Sequence, residues 1–292
     1  MKPLVLGLAA SLALAALAGT AGGAARFQFR KQMTRETAEM LSAIAPAAGT
    51  LVSASELEGL PRPVSKYLRY AAIVGKRRPR WVLVRQRGQV RLEPGEAWMP
   101  ASSERNYTLD PLAFVGQTWA NAARFVPLAT RDMFFQQRGH VLTKLAAALP
   151  VVDAHGPEAD QSTLLRYLAE AVWFPHALVS PAVSWQALDA TSSRVSLTEA
   201  SSRVSGVFRF AEGGEIQSFS AERHRVAGEG CPRLPWRVSY GGWEQRAGVH
   251  VPTELTARWR LASGDFTHSE TKLVELAYDL PWPRRGSRPG RR

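Results

Sequence analysis

Asp132, Asp153, Glu170 and His176 are the side chains whose types could carry general acid–base chemistry in this chain. Two carboxylates can share acid and base roles, as in glycoside hydrolysis, and a histidine can pass a proton near neutral pH. Glu254, at the start of ELTARW, is a further carboxylate candidate, and the spacing brings no two of these groups together. Asp132 stands beside Arg131 at a strand start, Asp153 precedes His155 and Gly156 in a turn, and Glu170 sits on a helix. A structural role in caps, turns and ion pairs competes with the catalytic one at each position. Nucleophilic chemistry has less to stand on, since there is no G-x-S-x-G elbow and Cys231 has no patterned histidine partner. The 6 histidines show no HxH, HxxxH or HExxH spacing, so no metal site is expected. Gly213-Gly214 and Gly241-Gly242 do not lead from a strand into a helix, so no phosphate loop is read and no cofactor is expected.

A second constellation is cationic. In WVLVRQRGQVRL the period is two: Val82, Val84, Val90 and Leu92 share one face, and Arg85, Arg87 and Arg91 share the other with Trp81 and Leu83. If the arginine face lines the concave side of a curved sheet, it can meet Glu170 or a ligand headgroup. If it is convex, the arginines are solvated. Arg85, Arg87, Arg91, Arg166, Glu170 and Trp173 are thus the candidate ligand-binding set.

The elements that must position these residues follow from pattern. Residues 34–45 read as a short amphipathic helix, residues 46–55 as a small-residue linker, and residues 59–74 as a second helix with Val64, Tyr67 and Leu68 on one side. From Trp81 onward alternation dominates, with further strand-like runs at 103–109, 113–119, 131–138, 193–199, 203–210, 216–226, 234–240, 252–261 and 269–278. Ala211-Glu212-Gly213-Gly214 is a hairpin turn. No βαβ rhythm appears, so the strands form an antiparallel sheet. One helix interrupts them at 162–174, capped by Asp160 to Thr163 and ended by Pro175, with Leu164, Leu168, Ala171 and Val172 facing the sheet. The expected fold is mainly β with helices (α+β): a large curved antiparallel sheet or half-barrel packed on a central helix, with N-terminal helices. The chain divides into residues 1–25, 26–75, 76–282 and a basic, disordered tail at 283–292.

Composition bounds the function. With 292 residues, 45% hydrophobic and 21% charged, the chain is globular rather than disordered or fibrous. The net charge of +12 invites a nucleic-acid reading. However, the excess sits in runs at 26–35, 76–80 and 284–292 that lack interleaved aromatics for base stacking. Nucleic acid is therefore not read as a partner, and contact with anionic lipid headgroups fits these runs better. Lys2, the uncharged apolar run from Pro3, and the small residues to Ala25 have the layout of an export signal or membrane anchor. Arg26, Arg30, Lys31 and Arg35 would tend to hold the body of an uncleaved anchor in the cytoplasm. Export with an extracytoplasmic, periplasmic body is the preferred reading, with membrane association through residues 3–25.

Several stretches together resemble an uncharacterised bacterial family known only as a domain of unknown function. They are Gly59-Leu60-Pro61-Arg62-Pro63-Val64 with Tyr67-Leu68-Arg69-Tyr70, Arg85-Gln86-Arg87-Gly88, Arg166 to Ala171 with Trp173-Phe174-Pro175, and Trp259. The resemblance covers roughly residues 59–280 and implies no catalytic residue. More loosely, the order of strands, helix and hairpins is similar to the half-barrel of periplasmic lipoprotein carriers, which implies a lipid or other hydrophobic small molecule held between sheet and helix. Three functions remain open from the sequence: that carrier, an enzyme with an acid–base site at the sheet–helix junction, and an envelope scaffold whose protein partners are unknown.

Overall fold

The computed structural model describes residues 2–45, 49–123, 126–225 and 230–281, with side chains from Gly22 onward except at residues 122 and 123. The basic run 283–292 lies outside the described residues, as do the side chains of the apolar segment up to residue 21. Among the described residues, no helix is long and apolar enough to cross a membrane.

Strands β1 (Trp81–Val90), β2 (Met99–Leu109), β3 (Leu112–Ala123), β4 (Val126–Phe135), β5 (Arg138–Leu145) and β6 (Leu149–His155) form one meander. Strands β7 (Val183–Ala187), β8 (Ser192–Glu199), β9 (Ser202–Phe210), β10 (Ile216–His224), β11 (Arg233–Arg246), β12 (Val249–Leu261) and β13 (Gly264–Tyr278) form a second. The last strand returns to the first, so β13 pairs antiparallel with β1 and fuses both meanders into one 13-stranded sheet. This is the curved, mainly β architecture that the alternation predicts. Strands β5, β6 and β7 lie where the sequence pattern shows no separate strand, and the run 131–138 divides between β4 and its turn into β5.

Among the described residues, three α-helices accompany the sheet: α1 (Lys2–Ser42), α2 (Arg62–Tyr70) and α3 (Pro157–Glu170). Helix α3 packs on β4, β5 and β6 of the first meander and on β9 and β10 of the second, so the sheet curls around it. Leu164, Leu165 and Leu168 of α3 join Tyr107, Phe114, Phe134, Phe208 and Phe219 of the inner sheet face in the main core. Val64, Tyr67 and Leu68 of α2 complete that core. The helix read at 34–45 is instead the end of the continuous α1, whose Phe29, Met33 and Met40 cover Ala113, Val115 and Ala129 on the outer face. Its neighbour, the segment 46–55, carries a short 3-10 turn at Ala54–Leu57.

Helix α3 begins five residues before the sequence reading, and the reason is local. Gly156, at φ 96°, turns the chain out of β6 and Pro157 opens the helix, where a missing N–H is harmless. Asp160 therefore caps nothing. It is buried, and its Oδ1 accepts a hydrogen bond of 2.5 Å from the Gly139 backbone N–H. The helix stops at Glu170 and continues as 3-10 turns over Ala171–Trp173 and Pro175–Val179. The contact with β5 is so close that a Cβ on Gly139 would stand 2.3 Å from Thr163 Oγ1 and 2.5 Å from the Ala159 carbonyl. Gly139→Ala should therefore lower the unfolding free energy by about 1–3 kcal/mol, the usual cost of overpacking, as read from urea denaturation.

Candidate functional site

Helix α3 divides the interior into two chambers because its two sides differ chemically. Arg166 and Glu170, one turn apart, line one chamber, whereas Tyr167, Leu168 and Ala171 line the other.

The first chamber is cationic. It comprises adjacent cavities of about 60 and 230 Å³ that share Arg105, Thr118, Arg166 and His268 as walls. Arg166 Nε lies 2.5 Å from Asp132 Oδ2, and its Nη1 lies 3.4 Å from Glu170 Oε1. Glu170 also accepts a 2.5 Å hydrogen bond from the Tyr107 hydroxyl and stands 3.9 Å from Arg105 Nε. Burial alone would lower the Arg166 pKa, but the Asp132 and Glu170 carboxylates outweigh it and raise the pKa. Opposite Arg105 in the β2–β3 register is Gly116, where a Cβ would stand 2.6 Å from Arg105 Cγ. Glycine is what allows the arginine stem to lie across β3. From β10, Arg223 enters the same chamber, only 4% exposed, with its guanidinium 4.3 Å from the Trp236 ring centroid.

The second chamber is larger, about 600 Å³, and mostly apolar. Leu109, Leu112, Leu168, Leu178, Val183 and Leu197 line it between the β2–β3 turn, α3, the 175–179 turn and the β7–β8 edge. His176 also lines it, 1% exposed, and neither ring nitrogen has a hydrogen-bond partner among the described residues. Burial, and then the cations of Arg78 and Lys76, push its pKa down to about 4.

The candidate residues read from the sequence are thus separated. Arg166 and Glu170 line the cationic chamber, and Asp132 joins them through Arg166. Arg91, just past the end of β1, lines it as well, stacked 4.4 Å from the Trp98 ring centroid. Arg85 and Arg87 do not reach it. They alternate outward from the buried Gln86, and Arg85 forms 2.7 Å ion pairs with Glu104 and Glu275 on the outer face. Trp173 is a core residue whose Nε1 donates to the Pro252 carbonyl at 3.0 Å. His176 belongs to the other chamber. Asp153 is exposed on β6, paired with His140 at 2.7 Å.

That last pair belongs to a group no sequence spacing announces. The β5–β6 register sets His140 opposite His155, and with Asp153 their ligand atoms lie within 4.8 Å of one another. Three such groups could hold a metal ion. Yet an Arg131 guanidinium N–H, itself paired with Glu36 of α1, donates to His140 Nδ1. The proton of a neutral His140 then sits on Nε2, pointing at Asp153, and a cation already occupies its other side. The arrangement fits a polar relay from α1 across β4, β5 and β6 better than a metal centre.

Two outcomes follow from the buried charges. Arg166→Met leaves Asp132 and Glu170 without their shared cation, so stability to urea should fall by about 3–5 kcal/mol. His176, whose ordinary value is 6.5, folds with a pKa of about 4, so the unfolded chain binds a proton that the native state refuses. Its contribution is complete above pH 6.5 and is lost as pH falls toward 4, amounting to about 3 kcal/mol at pH 4. His268, pushed by burial and by Arg223 down to about 3, acts in the same direction over a wider window. His176→Phe should flatten the stability profile between pH 6.5 and 4, which denaturation at stepped pH would show.

Comparison with known proteins places the chain by family alone. Among solved structures, a LolA superfamily protein, NE2245 from Nitrosomonas europaea, is similar at 10% identity over 79% of this chain and 96% of that one. The TM-score of that pair is 0.40. None of the curated proteins matches. The model of a family of unknown function, DUF6544, matches residues 50–271, which takes in both chambers and the stretches that carry the sequence resemblance. With most of its length under that one model, the chain belongs to the DUF6544 family.

Proposed function

We propose that the protein is a binding protein that holds a lipid or other hydrophobic small molecule in the apolar chamber between the curved sheet and α3. The observation that carries this reading is His176 inside a cavity of about 600 Å³. A volume of that size is ordinary for small-molecule sites, which are mostly apolar with a few orienting polar groups. An unbonded polar group in a buried wall is expensive unless something supplies the missing bond, at about 1–3 kcal/mol. Held neutral by its surroundings, His176 offers one donor and one acceptor, which suits a hydroxyl, a protonated carboxyl or an amide on an otherwise apolar ligand. The ion pair of Glu56 with Arg78, together with Asp110 and Glu199, gives the same chamber a polar side. For location, residues 3–25 support an exported or anchored protein with its body outside the cytoplasm: they form an uncharged apolar run after Lys2 that ends in small residues.

Native mass spectrometry of the full chain, purified gently from its own membranes, tests the reading. The expected spectrum shows a discrete adduct that organic extraction removes. In Ala182→Trp, which puts a large ring into the chamber wall, the adduct should disappear while the unfolding transition stays cooperative. His176→Phe should weaken retention by about tenfold, the worth of one hydrogen bond. A clean apo mass for the wild type after incubation with membrane lipids, or an adduct that survives Ala182→Trp, would remove the apolar chamber as a ligand site.

A further inference from the structure

The cationic chamber carries an inference independent of the apolar one. Arg91, Arg105, Arg166, Arg223 and Arg225 line it, and the carboxylates at its walls are Asp132 and Glu170. Arg225 is accounted for by a 2.6 Å ion pair with Glu93 at the rim. Arg166 is accounted for by Asp132 and Glu170. Arg223 is not. It is 4% exposed, its Nε bonds the Ser162 carbonyl and hydroxyl at 3.1 and 3.0 Å, and among the described residues it has no carboxylate partner. Its terminal nitrogens make no hydrogen bond among the described residues either. Arg105 meets a carboxylate only at 3.9 Å, from Glu170; its terminal nitrogens donate to the neutral Gln86, Ser103 and Thr118, and its buried Nε has no hydrogen bond. A buried cation without a counter-charge is among the least tolerable features of a protein interior. Here one stands among other guanidiniums in a cavity of about 230 Å³.

We infer that this chamber binds a phosphate-type oxyanion, with Arg223, Arg105 and Arg91 as the ligand-facing cations. Three features favour phosphate over a carboxylate. The guanidiniums come from β2, from β10 and from just beyond β1, so they approach from several directions, and a tetrahedral group with three peripheral oxygens can accept from all of them. The surplus of cations over carboxylates at the walls suits a dianion. The remaining lining adds neutral hydroxyls: Ser269, Thr118, which accepts from Arg105, and Thr130 and Thr143, which bond each other at 3.0 Å and keep one proton to donate. The phosphate can be free or the headgroup of a lipid, and both present the same atoms to these arginines.

Differential scanning fluorimetry and calorimetric titration of the full chain in mild detergent test the inference, at ionic strength held constant with chloride. Inorganic phosphate is one probe and dihexanoyl phosphatidic acid the other. Phosphate should raise the melting temperature saturably by several degrees, and Arg223→Met should abolish the rise relative to its own unliganded midpoint. Arg91→Met gives a second reading at the rim of the chamber and should weaken phosphate binding at least tenfold. Arg85→Met, on the outer face, should leave binding unchanged. Binding of the short-chain lipid tenfold or more tighter than phosphate would assign a lipid headgroup, and equal affinities would assign a free phosphate or phosphomonoester. The inference is overturned if phosphate gives no shift beyond chloride, or if the shift persists in both Arg223→Met and Arg91→Met. Ala182→Trp separates the two chambers, since it should remove the hydrophobic adduct and leave phosphate binding intact.

Discussion

One central helix, helped only by the short α2 and two 3-10 turns, has to cover the inner face of a 13-stranded sheet, and the rest of the structure follows from that mismatch. Laid flat, such a sheet would be roughly 60 Å wide at the usual strand spacing. Helix α3, at 14 residues, is about 21 Å long and can cover only a few strands. Curling brings β4–β6 and β9–β10 to the same helix, which buries the large aromatics of both meanders. The close seat of α3 at Gly139 and the Asp160 bond to that backbone fix where the curl grips. Beyond that grip the helix is too narrow to fill the trough, so space remains on both of its sides. Helices elsewhere cover what they can, with α2 joining the inner core and α1 lying outside on β3 and β4.

The helical period then decides what each remaining space contains. Residues four apart in α3 project to one side, so Arg166 and Glu170 charge one chamber, whereas Tyr167, Leu168 and Ala171 make the other apolar. The charged side is an expensive way to build a wall. A hydrophobic replacement of the same volume would hold the fold at least as well, since desolvation offsets most of what a buried ion pair returns. Arg223 sharpens the point, because it adds a third buried guanidinium with no carboxylate to meet it. Burial first, and then Arg166 and Arg105, push its pKa down to about 9, the direction expected where cations crowd together. Such a cluster is understandable as a site and hard to understand as a core.

Most of the sheet was legible in the sequence because its strands alternate and their turns carry glycine, as at 211–214. Strands β5 and β6 were not, and the reason lies in their turns. Gln136, Gln137, Ala146 and Ala147 all adopt left-handed backbone, where asparagine or glycine usually signals a hairpin. Without that signal the β4 pattern reads straight through its turn. The site was legible in part. Arg166, Glu170 and Asp132 were identified by type, and the structure unites them. Arg85 and Arg87 read as a run of cations, yet burial on their face of β1 ends with Trp81 and Leu83; beyond Val84 the buried residue is Gln86, and both arginines are exposed. Arg105 and Arg223 lie outside the sequence reading although both carry a signal. Arg105 shares parity with Tyr107, and Arg223 with Phe219 and Ala221, so each is an arginine in the place of a core residue. A cation in phase with the apolar face is more telling than a cluster of cations out of phase with it.

Parity also explains why Arg131 and Asp132, adjacent in sequence, serve unrelated networks. On β4, Ala129, Arg131 and Met133 point outward beneath α1, and Thr130, Asp132 and Phe134 point inward toward α3. Neighbours on a strand cannot face one another, so the apparent Arg–Asp pair never forms. Arg131 instead takes Glu36 from α1 and His140 from β5, tying the outer helix to the edge of the sheet. Asp132 takes Arg166 from α3, tying the inner helix to the same strand. Two residues in succession therefore clamp opposite faces, and β4 becomes the strand through which α1 and α3 are held in register.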